Sequence, residues 1–140
     1  MSIDFRGLCP LLQVFDMPQS IRFYCDVLGF ELAAHSPLAK RPEGEYFHWA
    51  MLKQDGVSLM LNTAYDEGER PPKPDPARVA AHGDVGLYFY CCDAAQTCAR
   101  LASLGARVVE RPFVTPYGMK RFTIADPDGY NLSFQEPVIQ

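Results

Sequence analysis

The chemistry-bearing residues of this chain are scattered, and their types favour contact over catalysis. Five cysteines (Cys9, Cys25, Cys91, Cys92, Cys98) form no Cys-x-x-Cys pair, and their number is odd. That excludes a disulfide framework and a zinc site and suits reduced thiols in a cytoplasmic protein. Of the three histidines, His35 falls at a strand end, His82 in a linker and His48 on the opposite strand face from Trp49, all surface or packing positions. What recurs instead, at every second position of strand-like runs, is aromatic and thioether side chains: Phe47, Trp49 and Met51, then Met60, then Tyr88 and Tyr90. Polar points accompany them at Arg121, Thr123, Ser133 and Gln135, with Tyr117 on a loop. Such a lining suits a flat organic ligand, since rings supply area and tyrosine keeps a hydroxyl to orient. Arg121 is the sharpest of these residues, because a buried guanidinium requires an anionic ligand group or an acidic partner, Asp84 being one candidate. The competing reading is that these side chains fill their own cleft or form a dimer interface.

The elements that must position them occur twice. Asp16-Met-Pro-Gln-Ser-Ile-Arg-Phe-Tyr-Cys-Asp-Val-Leu28-Gly29 is echoed by Asp93-Ala-Ala-Gln-Thr-Cys-Ala-Arg-Leu-Ala-Ser-Leu104-Gly105. In each copy an apolar run precedes an Asp suited to cap a helix, and Leu-Gly supplies the helix stop. Three strand-like stretches follow each helix: Phe30 to His35, Tyr46 to Lys53 and Val57 to Asn62, then Arg107 to Phe113, Lys120 to Ala125 and Asn131 to Glu136. Asp55-Gly56 signals a two-residue hairpin, which would pair Leu52 with Leu59 and put Phe47, Trp49 and Met51 on the open side. A three-residue turn would reverse that. The chain thus predicts an α+β fold of two βαβββ modules, residues 5–64 and 84–137, in one domain of 140 residues. A proline-rich surface connection, 65–83, joins them. Each helix covers one face of a curved mixed sheet, and the two open faces would share a cleft.

Phe15-Asp-Met-x-x-Ser-Ile-x-Phe-Tyr-x-x-x-Leu-Gly-Phe-Glu31, with Tyr117-Gly-Met and Asp126-Pro-Asp-Gly-Tyr-Asn, resembles the vicinal oxygen chelate superfamily. That group includes glyoxalase I, extradiol dioxygenases, fosfomycin-resistance transferases and bleomycin-resistance proteins. The resemblance implies the glyoxalase/bleomycin resistance fold and, for most of its enzymes, one divalent metal held from the first and last strands of each module. Counting from the helix-opening Asp residues and the final turn puts Cys9, Gly86 and Ser133 at those positions, and of the inward Ser58, Met60 and Asn62 in the Val57 to Asn62 strand Met60 is the best match. Hard divalent ions want imidazole and carboxylate donors, at least three at one point. The expectation is therefore no metal, no cofactor and no catalytic residue. The chain would bind a small aromatic or amphipathic molecule, in the manner of the bleomycin-resistance branch and of antibiotic sequestration, through Phe47, Trp49, Met51, Met60, Tyr88, Tyr90, Tyr117, Arg121, Ser133 and Gln135. A homodimer would complete the clefts. The alternatives are a divergent lyase or dioxygenase of the same superfamily, a metal-free enzyme using Tyr88, Tyr90 or Arg121, and a degenerate interaction module.

Composition bounds the partners. With 48% hydrophobic and 21% charged residues the chain is ordinary for a globular protein, and 13 basic against 17 acidic residues leave a net charge of -4. No basic cluster offers an electrostatic footprint for nucleic acid. No run approaches membrane-spanning length, and the first residues have no apolar signal core.

Overall fold

In the computed structural model, which describes residues 2–41 and 44–138, the chain divides into two compact units, Met1–Arg70 and Pro71–Gln140. The first unit begins with β1 (Leu11–Val14) and α1 (Met17–Ile21). Asp16 caps α1 as its spacing predicts, its carboxylate accepting from Gln19 N–H at 3.1 Å. The helix then widens into a π-helical turn, Arg22–Val27, and stops at Gly29, whose φ of 85° is costly for any residue with a Cβ. Next come β2 (Glu31–His35), a short hairpin of β3 (Ala39–Arg41) with β4 (Gly44–Tyr46), β5 (Trp49–Gln54) and β6 (Val57–Thr63).

The main sheet of this unit runs β1-β6-β5-β2, with β1 parallel to β6 and the other pairs antiparallel. Asp55 (φ 47°) and Gly56 (φ 81°) form the two-residue turn read from sequence, and Leu52 pairs with Leu59 and Ala50 with Leu61. Those four side chains are buried with Leu12, Val14, Met17 and Tyr24. The expected Tyr46–Lys53 strand is broken in two. Ser36 Oγ accepts from the N–H groups of both His48 and Trp49 at 3.0 Å, so the chain bends there and β5 starts only at Trp49.

The second unit opens with α2 (Pro76–His82), inside the stretch expected to be plain connection. Asp75 caps it through Ala77 N–H at 3.0 Å, with Pro76 in the first turn. The helix packs on the Asp126-Pro-Asp-Gly turn: His82 stacks on Tyr130 at 4.1 Å, and its Nδ1 lies 2.7 Å from the Asp128 carbonyl. A Cβ at Gly129 would come within 3.0 Å of the Val79 carbonyl oxygen, so helix and turn meet backbone to backbone. Then follow β7 (Gly86–Tyr90), α3 (Ala94–Ser103), β8 (Arg107–Val114), β9 (Met119–Ala125) and β10 (Asn131–Pro137). Their sheet, β7-β10-β9-β8, repeats the parallel-then-antiparallel order of the first. Asp93 caps α3 at Gln96 N–H, 3.0 Å. Cys98, Leu101, Phe122, Ile124, Leu132 and Phe134 form the core beneath α3.

Candidate functional site

Strand alternation leaves one face of each sheet without a helix, and the expected site residues fall there except Phe47, which precedes β5, and Tyr117, which lies in a turn. In the second unit the open face carries Tyr88 from β7, Ser133 from β10, and Thr123 and Arg121 from β9, since Ser133 pairs with both Tyr88 and Thr123. These residues, with Asp84, Gly86, Glu110 and Asn131, line a cavity of about 490 Å³. Arg121 dominates it. Its Nη1 donates to the Tyr117 hydroxyl at 2.6 Å and more weakly to that of Tyr88 at 3.4 Å. Its guanidinium carbon lies over the Phe113 ring at 5.1 Å and the Tyr88 ring at 5.8 Å, within cation–π reach.

The ion-pair partner of Arg121 is Glu110, not the Asp84 suggested by sequence: Nε stands 3.4 Å from Glu110 Oε1, without hydrogen-bond geometry. Glu110 also accepts from Thr123 Oγ1 at 3.3 Å, and Thr123 meets Ser133 Oγ at 2.7 Å. Because the tyrosine hydroxyls accept from the guanidinium, their own O–H groups remain to donate. The cavity thus offers the Tyr88 ring and hydroxyl and the Asp84 and Glu110 carboxylates around a fixed cation, which Tyr117 and Phe113 contact from beside it. Neither Glu110 nor Phe113 follows from strand parity, because β8 shifts register between Val108 and Glu110 and again before Phe113.

Tyr90 and Gln135 pair further along the same strands, Tyr90 exposed and Gln135 buried with its Oε1 unpartnered. In the first unit the open face holds Trp49 opposite Asn62 and Met51 opposite Met60. Phe47 stands apart from that row. It lies ahead of β5, buried, with its ring stacked on His35 at 4.5 Å and Tyr46 at 4.1 Å. His48 is held by packing, its ring Nδ1 3.1 Å from Thr63 Oγ1. Burial pushes the Cys25, Cys91 and Cys98 thiols up, so they stay protonated at neutral pH and are poor nucleophiles.

Residues 8–134 match the family model described as the Glyoxalase/Bleomycin resistance protein/Dioxygenase superfamily. The chain belongs to that superfamily. Among curated relatives, a probable lactoylglutathione lyase of Synechocystis sp. is 25% identical over 124 residues, 87% of this chain and 88% of that protein. Among solved structures, TnmS3, an antibiotic binding protein from Streptomyces sp. CB03234, superposes with a TM-score of 0.67 at 26% identity, covering 98% of each chain. A glyoxalase/bleomycin resistance protein from the same organism gives 0.61 at 26% identity, covering 90% of this chain and 96% of that one.

Membership in the superfamily raises the question of a divalent metal, and the chemistry of the donor set bears on it. The residues that the resemblance would put at the ion, Cys9, Met60, Gly86 and Ser133, supply neither imidazole nor carboxylate. Among the described residues, no three His, Cys, Asp or Glu side chains gather into a group that could hold a metal. A hard divalent ion does not fit this set. No helix among the described residues is long and apolar enough to cross a membrane.

Proposed function

We propose that this protein binds a small aromatic or amphipathic organic molecule without a catalytic divalent metal, and that antibiotic sequestration is its role. One observation carries the reading: the open sheet faces present rings, thioethers, hydroxyls and one aromatic-walled guanidinium where metal-dependent relatives require converging imidazoles and carboxylates. A cavity of about 490 Å³ falls in the size range of pockets for drug-sized ligands. The likeness to an antibiotic binding protein supports the same direction. On the second unit Arg121 would orient a ligand through the Tyr88 and Tyr117 hydroxyls and Glu110 would take a ligand donor; on the first, Trp49, Met51 and Met60 would offer apolar contact. The working form would be a cytoplasmic homodimer, which light scattering of the purified protein tests.

Trp49 is the sole tryptophan, so its fluorescence reports on the open face of the first unit. Titration with a panel of planar aromatic antibiotics should quench it saturably, and calorimetry should give a matching stoichiometry. A panel that produces neither heat nor quenching overturns the proposal. The identity with a probable lactoylglutathione lyase favours a second reading, a divergent lyase. One equivalent of nickel, zinc, magnesium, manganese or iron in protein purified without chelator would decide for it.

A further inference from the structure

We infer that the open face of the first unit is a binding site for a soft monovalent metal ion, Cu(I) or Ag(I), held by Cys9, Met51 and Met60. The inference is independent of the proposed organic ligand and rests on sulfur geometry. Cys9 Sγ lies 3.9 Å from Met51 Sδ, although 42 residues separate them in sequence. Met51 pairs directly with Met60 across β5 and β6, a placement that brings two side chains of one face into contact. Met60 in turn pairs with Leu11 of β1, and its N–H donates to the carbonyl of Pro10, next to Cys9, at 2.8 Å. β5, β6 and the segment leading into β1 therefore bring these three sulfur-bearing residues to one face, and all three are half-buried.

The Cys9–Met51 separation is compatible with two sulfurs sharing one ion. Metal–sulfur bonds of about 2.3 Å in a trigonal plane set the sulfurs about 4.0 Å apart, close to the separation already present. A thiolate and two thioethers are soft donors that select Cu(I)-like ions over harder ones. Charge points to the same class. On binding, the Cys9 S–H bond breaks, an S–metal bond forms and the proton leaves to solvent, while each thioether donates a lone pair and nothing is oxidised or reduced. A thiolate with a monovalent cation is neutral, so the half-buried face gains no net charge. A divalent ion would leave one positive charge among Leu11, Met51 and Met60 without a counterion.

The test uses the full chain, reduced and metal-free, with methyl-labelled methionine and Ag(I) as the probe. One equivalent of Ag(I) should shift the Met51 and Met60 methyl resonances and leave those of Met17 and Met119 in place. Competition with a thioether chelator should show Cys9→Ser abolishing the shifts. Met51→Leu and Met60→Leu, which keep side-chain volume, should each weaken binding by at least about tenfold, the scale that even outer partners of a bound metal reach. Cys92→Ser removes the exposed thiol and should change neither result. Unmoved methionine methyls at one equivalent, or binding lost with Cys92→Ser and kept with Cys9→Ser, would overturn the inference in favour of adventitious capture by a surface thiol. Unfolding of Cys9→Ser would be visible in the same spectra, and the two leucine variants then decide.

Discussion

The two sheets share a topology and differ in what their open faces carry. Met60 lies between Leu11 and Met51, and at the equivalent place Ser133 lies between Tyr88 and Thr123. One pair further along, Trp49 opposite Asn62 corresponds to Arg121 opposite Gln135. The buried sides have not diverged in kind: Leu52, Leu59 and Leu61 in one unit do the work of Phe122, Ile124, Leu132 and Phe134 in the other. A common backbone thus supports a sulfur-and-indole face and a hydroxyl-and-guanidinium face. The helix-covered side is constrained by close packing, whereas the uncovered side is free to take on different chemistries.

The comparison can be broken first on its conserved half. Phe122→Ala and Leu61→Ala each empty a fully buried site and should destabilise their unit by about 2–5 kcal/mol in chemical denaturation. A cost under about 1 kcal/mol for either would mean that the two cores are not equivalent. On the divergent half, Arg121→Met removes a charged hydrogen-bond donor and should lower ligand affinity by about 1.5–3 kcal/mol in calorimetry. Met60→Leu, at the corresponding apolar face, should change organic-ligand affinity by less than about 1.5 kcal/mol because volume is kept. Equal losses from both would show that the faces are not specialised. Asp16→Ala and Asp93→Ala delete the matched helix caps and should each cost about 1 kcal/mol in thermal or denaturant unfolding. Smallest of all, Glu110→Gln breaks a long, half-exposed ion pair and should alter stability by no more than about 1 kcal/mol.

Much of this was legible without coordinates, for identifiable reasons. The paired Asp…Leu-Gly segments announce both helices because capping and termination depend on local backbone chemistry. Asp55-Gly56 fixes the hairpin register because few residues adopt two successive positive φ values, and that register places Trp49, Met51 and Met60 together. Non-local effects were not legible. Ser36 interrupts the strand before Trp49 through a side-chain hydroxyl 12 and 13 residues away. The four prolines of 65–83 masked α2, whose Asp75-Pro76 start is itself a helix signal. Bulges in β8 defeat parity, so the sequence does not point to Glu110 and Phe113 and offers Asp84 only as one candidate partner for the arginine. The Cys9–Met51 contact joins segments whose adjacency only the sheet order reveals.

The π-helical turn of the first unit shows how two modules of one topology hold helices of unequal length. Gly29 follows Asp16 by 13 positions, while Gly105 follows Asp93 by 12. A widened turn is how a helix absorbs a single inserted residue without moving its ends, and Leu28 N–H reaching back to the Phe23 carbonyl at 3.1 Å marks where the surplus is stored. Arg22–Val27 is thus where the first helix accommodates the one residue by which its segment exceeds that of α3. Excising one amino acid there would rewind the segment to ordinary pitch and leave both flanking strands in register, whereas the same excision from α3 would drag β8 out of alignment.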